Sequence, residues 1–443
     1  MTNTNYHIAF DRMMARGATL DIDAAYSNPA GLAWGYDGLQ LSLNFQKPWQ
    51  NRDIEYNGKT FEGKASAPIV PALFGSYKKD RWAVSTMIGI VGSGGFVKYE
   101  EGVPMFNVLI NKSIYDLTNG LSSVTGGAIP AITPDQYTID SEMKGKQYIY
   151  GGQLNFTYKL IDCLSAAVGI RANYYDGYYR GHVIAGNHAT KGTLAKLLLD
   201  VDQKGWGFAP LVSINYHQGP LTLAARYEFR TKISTTNETN ILETDLNKTS
   251  MIEEPLTNLV LAGAMTPEQA AAIGKGIQEK MGGGFSAYTA PYEDGATTRY
   301  DMPALLSVAA GYEITPKLRA TIEYHFFDDK NAKMAGDRQE ELSHGTHEFL
   351  LGMEYDINDK FTVSCGGQRT DYGLSDGYQQ DTSFACDSYS VGLGGAVNLT
   401  EKLRLNAGYF MTIYSDYNKT ASFGQETFSR TNYVIGLGAD YKF

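Results

Sequence analysis

Two short motifs carry residue types that do chemistry in other proteins. Residues 373–377 read Gly-Leu-Ser-Asp-Gly and match the G-x-S-x-G turn that exposes a nucleophilic serine in hydrolases. That turn joins a strand to a helix, whereas this motif lies between two segments of alternating polarity, as a loop between strands would. We therefore interpret it as a chance match in a glycine-rich chain and predict no enzymatic activity.

A second motif, His344-Gly-Thr-His347-Glu348, would offer metal ligands on one face of a helix. On a strand, residues three apart point to opposite faces of the sheet, so His344 and His347 would not share an ion. The sequence contains no Walker A, dinucleotide-binding or EF-hand motif. We expect neither a metal site nor a cofactor.

The composition excludes other classes of protein. A net charge of −10 argues against a nucleic-acid partner, because phosphate-binding surfaces are basic. No apolar run reaches the roughly 20 residues that a transmembrane helix needs. The three cysteines lack C-x-x-C spacing, which indicates neither a zinc knuckle nor a disulfide scaffold. Free thiols at Cys365 and Cys386 are favoured over a bridge between them.

The dominant pattern is an alternation of apolar and polar residues with a period of two, which is the period of a β-strand. From Leu403 to Ile413, for example, the odd positions are apolar or aromatic. Aromatic residues recur near the strand ends on this face, as in the interface girdles of membrane barrels. The opposite face mixes small residues with charges of both signs, as a polar lumen would. Its charged residues are Arg171, Arg226, Glu228, Arg319, Glu323, Arg404 and Asp440.

These charges would either line a permeation path or form a lattice of ion pairs inside a plugged barrel, and we favour the lattice. Tight polar turns are predicted at 79–80, 161–162, 218–219, 315–316, 358–359 and 400–401. They alternate along the chain with long, unequal connections, a pattern typical of outer-membrane barrels. The sequence therefore predicts an all-β fold, a transmembrane antiparallel β-barrel of about fourteen strands, with twelve or sixteen as near alternatives. The predicted strand cores are 38–46, 69–79, 81–91, 146–160, 163–178, 206–217, 220–232, 299–313, 317–328, 345–356, 359–371, 383–398, 401–415 and 429–443.

Two predicted extracellular loops, 92–145 and 233–298, are long enough to contain short helices. In the first, apolar residues recur at helical spacing. They would form either an outer hydrophobic ligand site or a packing surface against the neighbouring loop. In the second, Thr266-Pro267-Glu268-Gln269 has the signature of a helix start, and the helix is expected to run to about Met281. The candidate outer-site residues are Met105, Phe106, Leu109 and Ile110.

The first 37 residues do not alternate, so they would either plug the lumen or lie in the periplasm. Within them, residues 21–33 read Asp-Ile-Asp-Ala-Ala-Tyr-Ser-Asn-Pro-Ala-Gly-Leu-Ala. This segment resembles the N-terminal hatch of the FadL/TodX family of outer-membrane transport proteins for hydrophobic compounds, with Asn28, Pro29 and Ala30 at the matching positions. The last residues, Tyr441 and Phe443, resemble the aromatic signal that the barrel assembly machinery reads.

The resemblance implies a hatch over residues 1–37 inside a fourteen-stranded barrel formed by residues 38–443. It also implies passive uptake of hydrophobic solutes, such as long-chain fatty acids or aromatic hydrocarbons, through a lumenal pocket, hatch rearrangement and lateral exit at a kink in the third strand. The candidate gate residues are Gly89, Gly92, Gly94 and Gly95. Alternatively, Gly92 to Gly95 only begin a loop and Gly89 only packs against a bulky neighbour.

We expect a monomer in the bacterial outer membrane, in contact with membrane lipids and lipopolysaccharide and with a hydrophobic small-molecule ligand. The chain does not start with a signal peptide, and we expect that one has been removed. A general diffusion porin is the first alternative. A surface-binding protein or a lipid-modifying enzyme is the second. An energised importer would need a longer plug and more strands.

Overall fold

A closed antiparallel sheet forms the body of the protein, for which the computed structural model describes residues 4–67, 69–281, 289–421 and 423–443. The strands are β1 (Gly38–Tyr56), β2 (Lys59–Ser66), β3 (Val70–Lys79), β4 (Trp82–Tyr99), β5 (Tyr137–Ile161), β6 (Leu164–Asn187), β7 (Thr193–Gln218), β8 (Leu221–Glu228), β9 (Ser234–Leu246), β10 (Thr297–Arg299), β11 (Leu305–Thr315), β12 (Leu318–Phe327), β13 (Thr346–Asp356), β14 (Phe361–Asp371), β15 (Ser388–Asn398), β16 (Leu403–Tyr414), β17 (Tyr417–Ala421) and β18 (Gly424–Lys442). β1 pairs with β18 from Gln40–Lys442 to Tyr56–Glu426, which closes the sheet.

The described strands combine into fourteen complete strands of the barrel wall. We call each complete wall strand, whether it consists of one or two described strands, a stave. β2 and β3 both pair with β1 and are successive parts of one stave. The same holds for β8 with β9, β10 with β11, and β16 with β17, each pair lying end to end against shared neighbours. The predicted fourteen-stranded barrel is therefore confirmed.

The two faces of the barrel have the reverse polarity of a water-soluble sheet. In β1, Leu43 and Phe45 point outward and are 45% and 43% exposed, whereas the intervening Asn44 is fully buried. The same alternation continues around the wall, with an apolar outer face and a polar inner face. Lipid can surround the apolar outer face, whereas the polar inner face has to be kept away from lipid. This polarity therefore indicates a membrane-embedded barrel. Within the described residues, no helix is long and apolar enough to cross a membrane.

The predicted short turns are confirmed. They join β3 to β4, β5 to β6, β7 to β8, β11 to β12, β13 to β14 and β15 to β16, at residues 80–81, 162–163, 219–220, 316–317, 357–360 and 399–402. They all lie at the end of the barrel that carries the C-terminal aromatic pair, Tyr441 and Phe443, whose rings are 4.8 Å apart.

Several strands are longer than predicted at the opposite end. Residues 47–67, which lie in a predicted loop, are mostly strand and form a hairpin at Asn57 and Gly58, both with positive φ. The long connections therefore shrink from 92–145 to 100–136, and from 233–298 to 247–296. The strand extensions carry ion pairs on their outer faces, such as Lys144–Glu142 at 2.6 Å, instead of apolar residues. These strand extensions were not predicted from the sequence, because the alternation of apolar and polar residues stops where the strands leave the membrane.

The described helices are α1 (Ile8–Met13), α2 (Ala24–Ser27), α3 (Pro104–Val124), α4 (Glu254–Leu261) and α5 (Pro267–Met281). Five 3-10 turns span Pro29–Trp34, Pro134–Gln136, Ala290–Tyr292, Asp329–Asn331 and Ala335–Glu341, and a π-helical turn spans Thr249–Glu253. The predicted start of α5 is confirmed, since the Thr266 N–H donates to Gln269 at 2.9 Å and the Gln269 N–H donates to Thr266 at 3.3 Å. The glycines predicted to end this helix, 282–284, lie outside the described residues.

α3, α4 and α5 form a cap over one end of the barrel. Their apolar residues pack with the extended ends of β5, β6 and β7 in one buried cluster. Leu109 and Ile110, two of the candidate outer-site residues, belong to this cluster. The prediction that they offer an accessible surface is therefore wrong, because the helix turns that face toward the neighbouring helices and strands.

Candidate functional site

The N-terminal segment, residues 4–37, lies against the inner face of the barrel. Residues 6–18 and almost all of residues 19–33 are buried. α1 packs across β13 to β18. It can approach these strands closely because their inward positions are glycines: a Cβ at Gly366 would collide with the Met13 carbonyl, and one at Gly392 with the Asp11 carbonyl. These glycines thus make room for the segment inside the lumen.

The Asn-Pro-Ala motif is held by the inner wall at four points. The Asn28 side-chain amide donates to Asn215 at 2.9 Å, and the Ala30 N–H donates to Ser213 at 3.1 Å. The Pro29 and Ala30 carbonyls accept hydrogen bonds from Thr157 and Ser165 at 2.8 and 2.6 Å. The motif therefore joins β5, β6 and β7 near the short turns.

Polar contacts hold the rest of the N-terminal segment. Arg12 contacts Glu354, and both side chains are almost fully buried. His7 lies 3.0 Å from Asp440. Because a charge buried without a partner is costly, the Arg12–Glu354 pair opposes separation of the segment from the wall.

Glu323 forms a further anchor for the N-terminal segment. Its Oε2 accepts the backbone N–H groups of Arg16 and Gly17, at 2.8 and 2.7 Å. His325 lies 2.6 Å from its Oε1. One carboxylate thus joins the loop after α1 to β12.

All seven charged residues of the predicted lattice face the lumen or its lower mouth. Arg171, Arg226 and Glu228 form one contact group, with Arg226 stacked 4.4 Å from the ring of Tyr26. Arg319 pairs with Glu354 and Asp356. Asp440 also accepts from Ser42 and Asn406, and Arg404 lines the mouth beside the short turns. The sequence analysis missed four further residues of this network. Glu354 and His325 follow the same alternation as the predicted residues. Arg12 and His7 lie in the N-terminal segment, which does not alternate.

The ladder between the second and third staves is interrupted. β3 pairs with β4 as far as Ala72–Gly89, and pairing resumes between β2 and β4 at Ser66–Phe96. Among the described residues of this interval, from which residue 68 is left out, no ladder pair joins the two staves. We call this interval the wall break.

Both edges of the wall break have a cause in the sequence. On β4, Val91 and Gly94 are bulged out of the ladder with β5, and Gly95 has φ +73°. On the facing side Pro71 has no N–H to donate. Of the candidate gate residues, Gly92, Gly94 and Gly95 therefore lie in the wall break, whereas Gly89 lies in the regular ladder beside it. Sequence reasoning considered the glycines alone and missed the proline opposite them.

Tyr6 of the N-terminal segment reaches the wall break from the inside. Its hydroxyl donates to the carbonyl of Val91, the first bulged residue, at 3.1 Å. Its ring packs edge-on against Tyr26 at 4.4 Å and is buried. Tyr6 lies in a segment without periodicity, so no sequence pattern indicated its partner.

A cavity of about 210 Å³ lies between the N-terminal segment and the inner wall of the barrel, and it extends to the wall break. Ala67 and Val70 line it from one edge of the break, and Ile90 and Gly95 line it from the other. The remaining lining mixes apolar and polar groups. The former include Tyr6, Phe10, Met14, Phe410 and Val434, and the latter include Arg52, Glu348, Gln368, Arg430 and Asn432.

A groove on the outer side of the cap lies between α3 and the β1–β2 hairpin. Its volume is about 420 Å³, and its lining includes Tyr56, Phe61, Val108 and Phe423. Of the predicted outer-site residues, Met105 is 40% exposed and Phe106 is half-buried. Neither of them lines the groove, to which α3 contributes Val108 as its apolar residue.

The start of α3 is fixed by a loop residue, Asp381, whose Oδ2 accepts the N–H of Met105 at 2.7 Å. Burial, and after it the neighbouring Glu426, raises the pKa of Asp381 to about 7. A carboxylate at this position satisfies one of the N–H groups that a helix start leaves without a partner.

Neither of the two catalytic-type motifs forms a site among the described residues. Ser375 lies in the loop between β14 and β15, and its hydroxyl has no hydrogen-bond partner. The prediction that His344 and His347 point to opposite faces is wrong, because β13 begins only at Thr346; their rings lie 5.1 Å apart. The described residues contain no cluster of three or more metal-ligating side chains. Their cysteines, Cys163, Cys365 and Cys386, are free.

Comparison with known proteins places this architecture among outer-membrane barrels. Residues 256–443 match the family model described as "Outer membrane protein beta-barrel domain". No curated protein sequence matches the chain significantly. The closed barrel, its apolar outer face and the family match together confirm the predicted location in the bacterial outer membrane.

Several solved structures are similar to this protein along nearly the whole chain. A Pseudomonas aeruginosa FadL homologue is 14% identical, with 100% of this chain and 99% of that chain covered and a TM-score of 0.64. The P. putida toluene transporter TodX is 12% identical over 95% and 94% of the two chains, with a TM-score of 0.57. The Ralstonia pickettii toluene transporter TbuX is 12% identical over 95% and 94%, with a TM-score of 0.54. At this identity the likeness establishes the fold, which is the one that the N-terminal motif predicted.

The Glu323 anchor gives a testable prediction. Glu323→Gln replaces the two-oxygen acceptor by an amide, so the N–H groups of Arg16 and Gly17 lose a charged partner worth about 1.5–3 kcal/mol. Their hydrogen-exchange rates, measured by mass spectrometry on peptides covering residues 14–20, are expected to rise about tenfold or more.

The matched control for this prediction is Glu340→Gln, an exposed carboxylate in the turn before β13. It should leave exchange of residues 14–20 unchanged. Equal exchange in wild type and Glu323→Gln would contradict the assigned role of Glu323.

Proposed function

We propose that the protein is a passive channel that takes up hydrophobic solutes and releases them sideways into the outer membrane. The observation that carries the proposal is the continuity between the lumenal cavity and the wall break, whose two edges both line the cavity. An apolar solute that leaves through the wall enters lipid directly and avoids the cost of entering water on the far side.

The proposed route has three stages. A solute binds first in the groove between α3 and the β1–β2 hairpin, where apolar side chains are accessible. It then moves into the cavity, over Phe10, Met14 and Phe410. It leaves between β3 and β4, at the level where Trp49 and Tyr150 face outward, as aromatic residues do at a membrane interface.

Residues 1–37 act as the hatch in this proposal. Their contacts divide into a part bonded to β5–β7 through Asn28, Pro29 and Ala30 and a part near the wall break that includes Tyr6. Movement of Tyr6 away from Val91 would free the inner side of the break while the rest of the hatch stays bound. The hatch therefore needs to rearrange only at its start.

The neighbouring structures support a hydrophobic solute, since two of them are toluene transporters. The resemblance of the hatch motif adds long-chain fatty acids as candidates. We propose a monomer, since the barrel closes within one chain. Tyr441 and Phe443 are proposed as the signal read by the barrel assembly machinery, with lipids and lipopolysaccharide around the wall. The proposed activity is transport without catalysis.

Closing the wall break tests the lateral route. Deleting Val91 and Gly94 removes both bulges of β4. Deleting Ala67 as well removes the residue that the facing stave would then have in excess, because residues 67–71 face residues 90–95 across the break. With these three deletions both staves keep one register and the alternation of inward and outward side chains. We expect uptake of radiolabelled toluene and laurate by cells to fall to the level of cells without the protein.

The matched control is deletion of Gly126 and Gly127, which follow α3 outside the membrane. It should leave uptake unchanged, and heat-modifiable gel mobility should show that both variants assemble. Full uptake through the assembled three-residue deletion variant would exclude the lateral route.

A general diffusion porin is the alternative, and the hatch distinguishes the two. Deleting residues 2–30 should open the lumen, because residues 6–18 are buried against the inner face of the barrel wall. Single-channel conductance in planar bilayers is expected to increase strongly over the wild type. A wild-type conductance already typical of porins, unaffected by the deletion, would favour the porin.

A further inference from the structure

Two buried carboxyl groups meet near the start of α3. Asp381 belongs to the loop between β14 and β15, Glu426 belongs to β18, and the two residues are 3% and 0% exposed. The Asp381 carboxyl lies within hydrogen-bonding reach of the Glu426 carboxyl, and its Oδ2 also accepts the N–H of Met105 at 2.7 Å. The pair therefore joins a loop, the barrel wall and the first turn of the cap.

The hydrogen bonding of this pair is incomplete unless one carboxyl is protonated. Among the described residues, neither oxygen of Glu426 has a hydrogen-bond partner. Two carboxylates that share a buried site repel each other strongly, so one of them keeps its proton. A proton between Asp381 and Glu426 removes this repulsion and gives one Glu426 oxygen a partner.

Lys419 of β17 balances only part of the charge. Its ammonium group lies 3.3 Å from Glu426 and donates to the carbonyl of Gln379 at 3.0 Å. One lysine neutralises one of two carboxylates. With both carboxyls ionised, the pair and Lys419 together would therefore keep an excess negative charge.

Two further groups face this part of the loop. Tyr99 of β4 faces Asp381 with a hydroxyl that is neutral over the physiological pH range. Arg338 is directed to the backbone of the loop and donates to the carbonyl of Ser383 at 2.8 Å. Neither group takes the place of the proton between the two carboxyls.

Apolar side chains shield the pair from water. Val103, Phe384 and Phe428, each within three residues of Met105, Asp381 or Glu426, are buried in one cluster. The rings of Phe384 and Phe428 are 4.7 Å apart. Repulsion between two ionised carboxylates is screened much less in such surroundings than in water.

The sign of the pH dependence follows from this arrangement. Burial, and after it Glu426, raises the pKa of Asp381 to about 7, against an ordinary value of about 4. A raised carboxyl pKa stabilises the closed contact fully below the ordinary pKa, and this contribution is lost as the pH rises to the raised one. The contact between Asp381 and Glu426 is therefore strongest in acid and weakest above about pH 7.

We infer that Asp381 and Glu426 form a pH-dependent latch, which shares one proton in acid and holds the start of α3 against β18, and which separates when both carboxyls are ionised. From Leu109 onward α3 packs in the buried cluster of the cap, so the release concerns its first turn.

The consequence of the latch rests on the proposed function. Asn107 and Val108, which follow Met105 in α3, line the groove where a solute binds first. Separation of the latch frees the start of α3 and widens this groove. The latch therefore regulates the entrance to the route.

Hydrogen exchange of the purified full-length protein in a neutral detergent, measured at about pH 5 and about pH 8, tests the latch. Peptides covering residues 103–108 and 378–386 report on the two segments that the latch joins to β18. After correction for the intrinsic effect of pH on exchange, we expect both to exchange about tenfold or more faster at the higher pH. Peptides covering residues 150–158 of β5 should not change.

The decisive variant is Asp381→Asn. Its amide oxygen can still accept from Met105, and its amide nitrogen can donate to Glu426 as the shared proton does, so the latch stays closed at both pH values. Glu426→Gln places the donor on the other partner and tests the same latch if the first variant fails to assemble. Each variant is expected to keep, at both pH values, the slow exchange of the wild type in acid.

The matched control is Asp416→Asn, which neutralises an exposed carboxylate just before β17. It should keep the wild-type pH dependence. Equal exchange at both pH values in the wild type, or a pH dependence that persists in both latch variants, overturns the latch. Exchange at the higher pH that is slowed by added Ca²⁺ and restored by a chelator overturns the proton in favour of a divalent cation.

Uptake of radiolabelled toluene, whose charge does not change with pH, separates the latch from the proposed function. Cells with the wild type should take up toluene faster at the higher pH, and cells with Asp381→Asn at equal rates. Exchange that depends on pH, without toluene uptake at either pH, supports the latch and contradicts the proposed function. Toluene uptake without pH-dependent exchange overturns the latch alone.

Discussion

The structure depends on one constraint: in lipid, every backbone N–H and C=O group must find a partner within the protein. The closing pairs between β1 and β18 meet this constraint by leaving the barrel without a free edge. The wall break is the exception, and the protein limits its cost locally. Pro71 has no N–H to leave unpaired, and the carbonyl of the bulged Val91 accepts the Tyr6 hydroxyl. The hydrogen bond between Tyr6 and Val91 therefore offsets part of the cost of the wall break.

The N-terminal segment and the inner face of the wall have complementary groups. The segment uses polar groups that an empty lumen would leave to water, such as Glu323, Glu354 and Asp440. Glycines on the inner face of β14 and β15 admit its backbone. In the proposed function, a small rearrangement near Tyr6 costs less than removal of the whole segment, which would break all of these buried contacts at once.

Much of the barrel could be predicted from sequence because lipid and lumen impose opposite polarity on alternate residues. Where one of these environments ends, the signal ends too, as in the extension of β1 to Tyr56. The candidate site was harder to predict. The glycines of β4 were visible, but the positions of Pro71 and Tyr6 opposite them depend on register and on tertiary contacts. The face of α3 was misassigned because helical spacing alone cannot tell which apolar residues pack against the cap.

The central claim is that one continuous path joins the cavity to the bilayer between β3 and β4. Photolabelling of the membrane-embedded protein with a diazirine-bearing alkyl acid, followed by peptide mapping, tests it most directly. The account predicts labels at Phe10 or Phe410 in the cavity and at Val70 or Ile90 in the wall break, all competed by unlabelled laurate. Labels spread evenly over the outward residues of the barrel, unaffected by laurate, would contradict it.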